Sequence, residues 1–548
     1  MENTSGKLAS IFLVAVVLSI VAAWILARRY RHAMHGLMSA PLDAGRIPDA
    51  DAVAAMAPAA ARVVPTEVRV VAAPRPPAPA TAINLGANRH AAVRLTLALF
   101  VISAFISVTV AVIEHLLALP GQAIAWKRVT LLAFIDLWPT IPALGIVWRW
   151  SRWQTIGALL LWFVLCFGLA LWRSVDRDSA STLIFLAWKI GPAMLLIALL
   201  FLGDATRAIA PWLLPVMFGF AWASHAGLDF LSAAVNRRAG WLMALPSWLD
   251  VSVVLALAAL LPWLIAWWPL KVFGRVLARG YAEKRLSELG VLFTSVWAIA
   301  LFMELLGAYH DLQAGAVLLL MPLAWVPIGF WVASAVQPKT GRPPTLLVLR
   351  VFRRDAEVQK LFDAVIERWR LTGNTVLIAG TDLADRTLDA DDIFAFIDGR
   401  LAERFIRDPA EVAPRIAAFD LERDVDGRYR INECYCHDTT WEGALDALVR
   451  ASDVVLMDLR GFQAHNAGCL HELAVLARQT GLQRVVVLAD AVTDRAAAAQ
   501  AVAGAAPDRF VWLDAGRIGS RLVRDVLQQL FVVRAPSHAA AARAAALR

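Results

Sequence analysis

Nine stretches within the first 340 residues are each long and apolar enough to cross about 30 Å of hydrocarbon, which takes roughly 20 residues as a helix. They fall at about 8–27, 96–117, 129–148, 155–172, 182–202, 211–231, 248–270, 289–307 and 314–336. A chain with so many such runs folds in lipid over much of its length, and the composition agrees. Of 548 residues, 59% are hydrophobic and 18% charged, and the mean hydropathy is +0.59. A soluble protein is excluded. Eighteen of the twenty-two tryptophans lie between Trp126 and Trp331, and indole rings favour the membrane–water interface. Trp126, Trp148, Trp150, Trp153, Trp267 and Trp268 therefore read as belt residues.

Two spans carry internal signals. Pro139 and Pro142 predict a kink in the third, and Trp222-Ala-Ser-His225 with Asp229 interrupts the sixth, leaving a re-entrant or interfacial helix open there. Lys and Arg concentrate in Arg28-Arg29-Tyr30-Arg31, at Arg149, Arg152 and Arg207, and between Lys271 and Arg285. Placing those segments inside puts the N-terminus outside and the C-terminal part in the cytosol, below an inner (plasma) membrane. Cys166, Cys434, Cys436 and Cys469 are too few and too clustered for an extracellular disulfide framework, which suits that side. The net charge of +8 is carried before residue 340, so it speaks for topology with a lipid bilayer as partner and not for nucleic acid.

The organisation expected is a signal-anchor helix over 1–28, a disordered Ala/Pro-rich linker over 29–92, a polytopic region of about eight helices over 93–336, a linker over 337–344, a cytosolic α/β domain over 345–535 and a disordered tail over 536–548. Glu114, Asp136, Lys189, Asp250 and Glu304 fall within or at the ends of apolar runs, where an isolated charge costs at least ~2.5–3.5 kcal/mol. They line an ion or solute path with Lys189 opposing a carboxylate, or they pair to fix helix packing.

After residue 344 the pattern changes to short apolar runs at 345–352, 375–380, 453–459, 484–489 and 509–513, alternating with amphipathic stretches at 357–370, 391–405, 441–450, 469–480, 494–502 and 520–531. About seventy residues separate the second run from the third. Strands alternating with helices imply a parallel sheet covered on both faces, and five in this order suggest a flavodoxin-like domain. Ligands on such sheets bind beyond the C-terminal strand ends, where strand order reverses. That makes Arg350, Arg353, Gly380, Asp382, Asp458 and Arg460 substrate-binding candidates, and Asn466 is counted with them. No GxGxxG, Walker A or HExxH pattern occurs.

The stretch from Ser452 to Leu473, with Asp458-Leu-Arg460-Gly461 and Cys469-Leu470-His471-Glu472-Leu473, resembles TIR domains, whose third strand leads through a loop to a Cys-x-x-Glu-Leu helix start. The resemblance spans about residues 345–535. In enzymatic TIR domains that glutamate cleaves the nicotinamide N-glycosidic bond of NAD, so the resemblance implies that Glu472 is catalytic. NAD is then a substrate, no cofactor is needed, and self-association through the domain is implied. The same stretch is similar to nucleoside deoxyribosyltransferases, which also act on an N-ribosidic bond. Apart from any resemblance, breaking such a bond builds positive charge on the sugar, and a carboxylate in a partly dry cleft stabilises it. The helix dipole is the plainer explanation for an acid in a first helical turn, where Glu472 is expected.

Cys434, Cys436, His437 and Cys469 offer zinc ligands at a non-standard spacing, since Cys-x-Cys puts both thiols on one side of an extended chain. Buried apolar cysteines explain them as well. The function expected is a membrane-linked sensor or effector presenting a nucleotide-binding or NAD-glycohydrolase-like domain. The alternatives are a non-catalytic TIR-like interaction module on an anchor, or a transporter with a regulatory cytosolic domain.

Overall fold

A helix in lipid satisfies its own amides, so continuous apolar sequence becomes helix. The computed structural model describes residues 4–39, 83–173, 178–201, 203–240, 250–338, 341–350, 356–379, 390–437 and 440–531. The N-terminal region comprises α1 (Thr4–Ser39), α2 (Leu85–Ala118), α3 (Trp126–Ile135), α4 (Thr140–Val147), α5 (Arg152–Arg173), α6 (Ser179–Leu200), α7 (Asp204–Asn236), α8 (Val251–Ala282), α9 (Glu288–Leu312) and a 3-10 stretch, Gln313–Ala324, that runs into α10 (Trp325–Ala335). Among the described residues, eight helical segments are long and apolar enough to cross a membrane, and α3 with α4 makes a ninth if the pair counts as one span. This fits a multi-pass membrane protein. Apolar side chains on the outer helices, such as Leu264, Ile265 and Trp268 on α8, face outward uncovered, as lipid contact requires.

The kink expected in the third span is present: α3 and α4 meet at 47°. Pro139 has no amide hydrogen to return to the Ile135 carbonyl, so the ladder stops there. The sixth span, open to a re-entrant reading, is one helix from Asp204 to Asn236 despite Pro211 and Pro215. Helix also enters the stretch read as linker from both sides, because α1 runs to Ser39 and α2 starts at Leu85 with Asn84 capping the Ala87 amide at 2.8 Å. The rest of that linker, 40–82, and the tail beyond 531 lie outside the described residues.

The C-terminal unit is an all-parallel seven-stranded sheet: β1 (Thr345–Arg350), β2 (Asn374–Ala379), β3 (Phe405–Ile406), β4 (Ile431–Cys436), β5 (Val454–Asp458), β6 (Arg484–Ala489) and β7 (Phe510–Asp514), in the order β3-β4-β2-β1-β5-β6-β7. The helices are α11 (Ala356–Trp369), α12 (Ala390–Ile397), α13 (Val412–Ala417), α14 (Trp441–Ala451), α15 (Ala467–Arg478), α16 (Arg495–Ala501) and α17 (Ser520–Leu530). Alternation along β1 sends Leu346 and Val348 to the face packed by α11 and α17, and Leu347 and Leu349 to the face packed by α14 and α15.

The five strands read from the sequence stand together as β2-β1-β5-β6-β7, and the sheet differs from that expectation by two more strands, β4 and β3, added beyond β2. These occupy the long gap. Ile431-Asn-Glu-Cys-Tyr-Cys436 hides its role because Asn432 and Glu433 break the apolar run, and β3 is only two residues long. The helix expected over 391–405 ends at Ile397, since Gly399 turns the chain at φ +73° and releases it into β3.

Candidate functional site

Strand order reverses at β1, with β2 on one side and β5 on the other, so the crevice for a ligand lies outside their C-terminal ends. Arg350 closes β1 directly in register with Asp458, which closes β5. Arg353, Gly380 and Asp382 lie outside the described residues.

Asp458 and Arg460 are both buried and hold each other. Arg460 donates from Nε to Oδ1 and from Nη2 to Oδ2, each at 2.9 Å, and its own amide donates to Oδ1 at 3.1 Å. The fork-on-carboxylate geometry rigidifies the turn after β5. Gly461 follows at φ +72° and donates its amide to Asp490 Oδ1 at 3.0 Å. Asp490, just past β6, also takes the amides of Val492 and Thr493, and the Thr493 hydroxyl lies between Asp490 Oδ1 at 2.7 Å and the Leu459 carbonyl at 3.0 Å, able to donate to either. Burial works against the Asp490 charge, but these donors hold its carboxyl below the usual range. Asp490 and Thr493 were not among the sequence candidates, although an acid just past a strand end is the same signal that marked Asp458. Asn466 precedes α15 and spends its carboxamide oxygen on the Gln463 amide at 2.8 Å, closing its own loop.

Glu472 differs from the expectation in its position. Helix α15 begins at Ala467, two residues earlier than the motif suggested, which puts Glu472 in the second turn, about 8 Å along the axis from the helix start. The pull of a helix dipole fades within the first turn, so that plainer explanation weakens. Helix α15 packs beside α14 and α16. The Glu472 Oε2 is buried and takes no hydrogen bond among the described residues. Burial pushes the carboxyl up to about 7. One turn earlier, Cys469 is pushed up to about 12, by burial first and then by the Glu472 charge. His471 packs edge-on against Trp441 at the start of α14, ring centres 5.5 Å apart.

The Cys-x-Cys geometry is present on β4: Cys434 and Cys436 put their sulfurs 3.6 Å apart on one side of the strand. Both thiols are free and pack with the apolar layer that contains Leu445 and Leu473. His437 lies against the Phe405 ring, and among the described residues no group of three His, Cys, Asp or Glu side chains could hold a metal.

In the helical region Lys189 is a hub. Its ammonium donates to Glu114 Oε1 at 3.1 Å and to Glu304 Oε2 at 2.8 Å, and lies 3.3 Å from Asp136 Oδ1. Asp250 belongs elsewhere, capping α8 through the Ser252 amide at 2.7 Å.

The two regions are docked. Tyr30 on α1 donates to Asp392 at 3.2 Å, and Asp392 also takes Tyr435 of β4 and, at 2.8 Å, Arg404. Arg430 stacks on the Tyr281 ring at 3.6 Å and pairs with Asp424 at 2.8 Å, while Lys284 reaches Asp420 at 2.6 Å and Arg370 reaches Glu288 at 3.2 Å. Trp148, read as a belt residue, instead receives Arg368 over its ring at 5.3 Å. A cavity of about 710 Å³ opens at this junction between Trp24, Arg28, Arg29, His32 and Phe396.

Fold and sites together define a multi-pass helical protein that carries a parallel α/β unit against one end of its bundle. Comparison with protein-family models, with curated proteins and with solved structures returns no match.

Proposed function

We propose that the C-terminal unit is a TIR-like, flavodoxin-like domain that recognises a nicotinamide or related nucleotide and cleaves its N-glycosidic bond through Glu472, displayed on a membrane anchor as a sensor or effector. One observation carries this reading: a glutamate that keeps one carboxylate oxygen buried and unpartnered, pushed up to about 7 by burial alone. A carboxyl with one oxygen withdrawn from water and from hydrogen bonds, raised close to neutral pH, is disposed for chemistry. Ionised Glu472 would stabilise the positive charge that grows on the ribose as nicotinamide leaves, and water would complete the hydrolysis. The order β2-β1-β5-β6-β7 supports the fold assignment, and the reversal of order beside Asp458 supports a binding crevice there.

A cytosolic position below a plasma membrane is supported by the docking face. The unit rests against Tyr30, Trp148, Tyr281 and Lys284, in or beside the Lys- and Arg-bearing segments that topology rules keep inside.

The test is incubation of the purified full chain with NAD, alone and cross-linked into clusters, with release of nicotinamide as the readout. Glu472→Gln is expected to lower turnover at least about 100-fold. Equal turnover in both proteins removes the assignment. No turnover by the clustered wild type favours the interaction module, a reading that the pairing of Asp458 with Arg460 also favours.

A further inference from the structure

The Lys189 hub holds more negative charge than it answers. Glu114 from α2, Asp136 from the α3–α4 break and Glu304 from α9 converge on one ammonium from α6, so the ionised set carries a net charge of −2. All four side chains are largely buried, Asp136 at 6% and Lys189 at 8% exposure. The group is deep in the bundle, because Glu304 lies about 24 Å along α9 from Glu288, which pairs with the C-terminal unit. An unbalanced charge there costs several kcal/mol.

The three carboxylates are not equivalent. Glu114 and Glu304 each accept a hydrogen bond from Lys189. Asp136 is held more loosely: its Oδ1 is ion-paired with the ammonium at 3.3 Å, and its Oδ2 is buried with no hydrogen-bond partner among the described residues. One turn on, at the start of α4, the Thr140 hydroxyl is also buried and has no hydrogen-bond partner among the described residues. Between them the helix is broken, and Pro139 leaves the Ile135 carbonyl without its usual donor. The Cys166 thiol of α5 is the remaining titratable group facing Asp136.

We propose that the α3–α4 break is a binding site for one small monovalent cation, H⁺ or Na⁺, taken by the Asp136 carboxylate with oxygens of the break and held beside the Lys189–Glu114–Glu304 cluster. Oxygen ligands gathered where a spanning helix breaks, next to a carboxylate that shares its one ammonium with two others, are what a dehydrated Na⁺ needs, and the carboxylate alone suffices for a proton. Lys189 occupies the cation position nearest Glu114 and Glu304, so the added charge goes to Asp136.

The site is tested by thermal unfolding of the full chain in detergent, titrating Na⁺ against choline at fixed pH and, separately, pH without Na⁺. Ligand that binds the native state raises the midpoint with concentration. The wild-type midpoint is expected to rise with Na⁺, which identifies a sodium site, or with acidification alone, which identifies a proton site. Asp136→Asn, a neutral isostere, is expected to flatten whichever response is seen, moving half-saturation by at least about tenfold. A wild type flat in both titrations overturns the proposal whatever the variant does, and so does an identical response in Asp136→Asn. Should that variant fail to fold, ²²Na⁺ binding and proton uptake by the wild type decide: uptake of neither ion overturns the site.

Discussion

At the scale of single residues, Glu472 makes two linked predictions. Its carboxyl is raised from an ordinary value of 4.5 to about 7 by burial. For an acid shifted upward, the folded state keeps a proton that the unfolded chain releases, so stability is highest below about 4.5, declines through the window up to about 7 and then levels. The decline attributable to this one group is on the order of 3 kcal/mol. Glu472→Gln cannot ionise, and denaturant unfolding of the full chain should show it more stable than the wild type at pH 8 and equal to it near pH 4. If the two proteins lose stability in parallel, the carboxyl is not held neutral. If Glu472 acts as a carboxylate, NAD cleavage by the wild type should rise with pH through about 7 and then plateau, followed by initial rates across that range. Asp490 predicts the opposite slope. Its lowered carboxyl and the Gly461, Val492 and Thr493 donors stabilise the fold above the usual carboxylate range and release it on acidification, and Asp490→Ala should loosen the β5 and β6 loops together.

At the scale of elements, close packing of α7 against α8 depends on Gly227. A Cβ there would collide with the Ala258 carbonyl oxygen and meet Pro262 Cγ at 2.6 Å, so backbone would have to move. At Gly219 on the same helix the obstacle is the Leu270 side chain at 2.3 Å, which can rotate aside. Gly227→Ala should therefore lower the thermal midpoint in detergent by several degrees and Gly219→Ala by much less; equal effects would mean that α7 and α8 are not held at this distance. The same contrast between local and non-local causes explains what could be read beforehand. Spans and the strands β1, β2, β5, β6 and β7 were legible because continuous apolar runs are local patterns, and the α3–α4 kink because proline acts on its own backbone. β4 was not, because Asn432 and Glu433 belong to its surroundings: Asn432 bonds Asp420 at 2.9 Å and Glu433 takes Tyr435. Of the site, Asp458 and Arg460 were legible by position but not their closure on each other. Asp136, Glu114 and Glu304 were suspect as intramembrane acids, and their meeting at Lys189 is a property of packing that no window of sequence contains.

At the scale of the whole molecule, the α/β unit is seated on the bundle by polar contacts that leave neither side independent. Arg430 belongs to the loop before β4, yet its guanidinium stacks on Tyr281 of α8, donates to the Tyr281 carbonyl at 2.5 Å and pairs with Asp424, which Lys284 approaches at 3.8 Å. Burial and the neighbouring Asp426 push Asp424 up to about 6 even with Arg430 in place. Removing the arginine leaves that acid buried without its main counter-charge, a change that costs about 3–5 kcal/mol when one member of a buried pair is lost. Tyr30→Phe is milder, about 1 kcal/mol, because Asp392 keeps its ion pair with Arg404. Hydrogen exchange of the full chain distinguishes a rigid seat from two bodies that merely touch. With a rigid seat, Arg430→Met accelerates exchange in β4 and equally in the turn joining α8 to α9, and Tyr30→Phe gives a smaller change shared by α12 and the end of α1. Acceleration confined to β4 would show that a signal in the helices has no mechanical route to the sheet, and a membrane sensor acting on this α/β unit would then have to work through clustering instead.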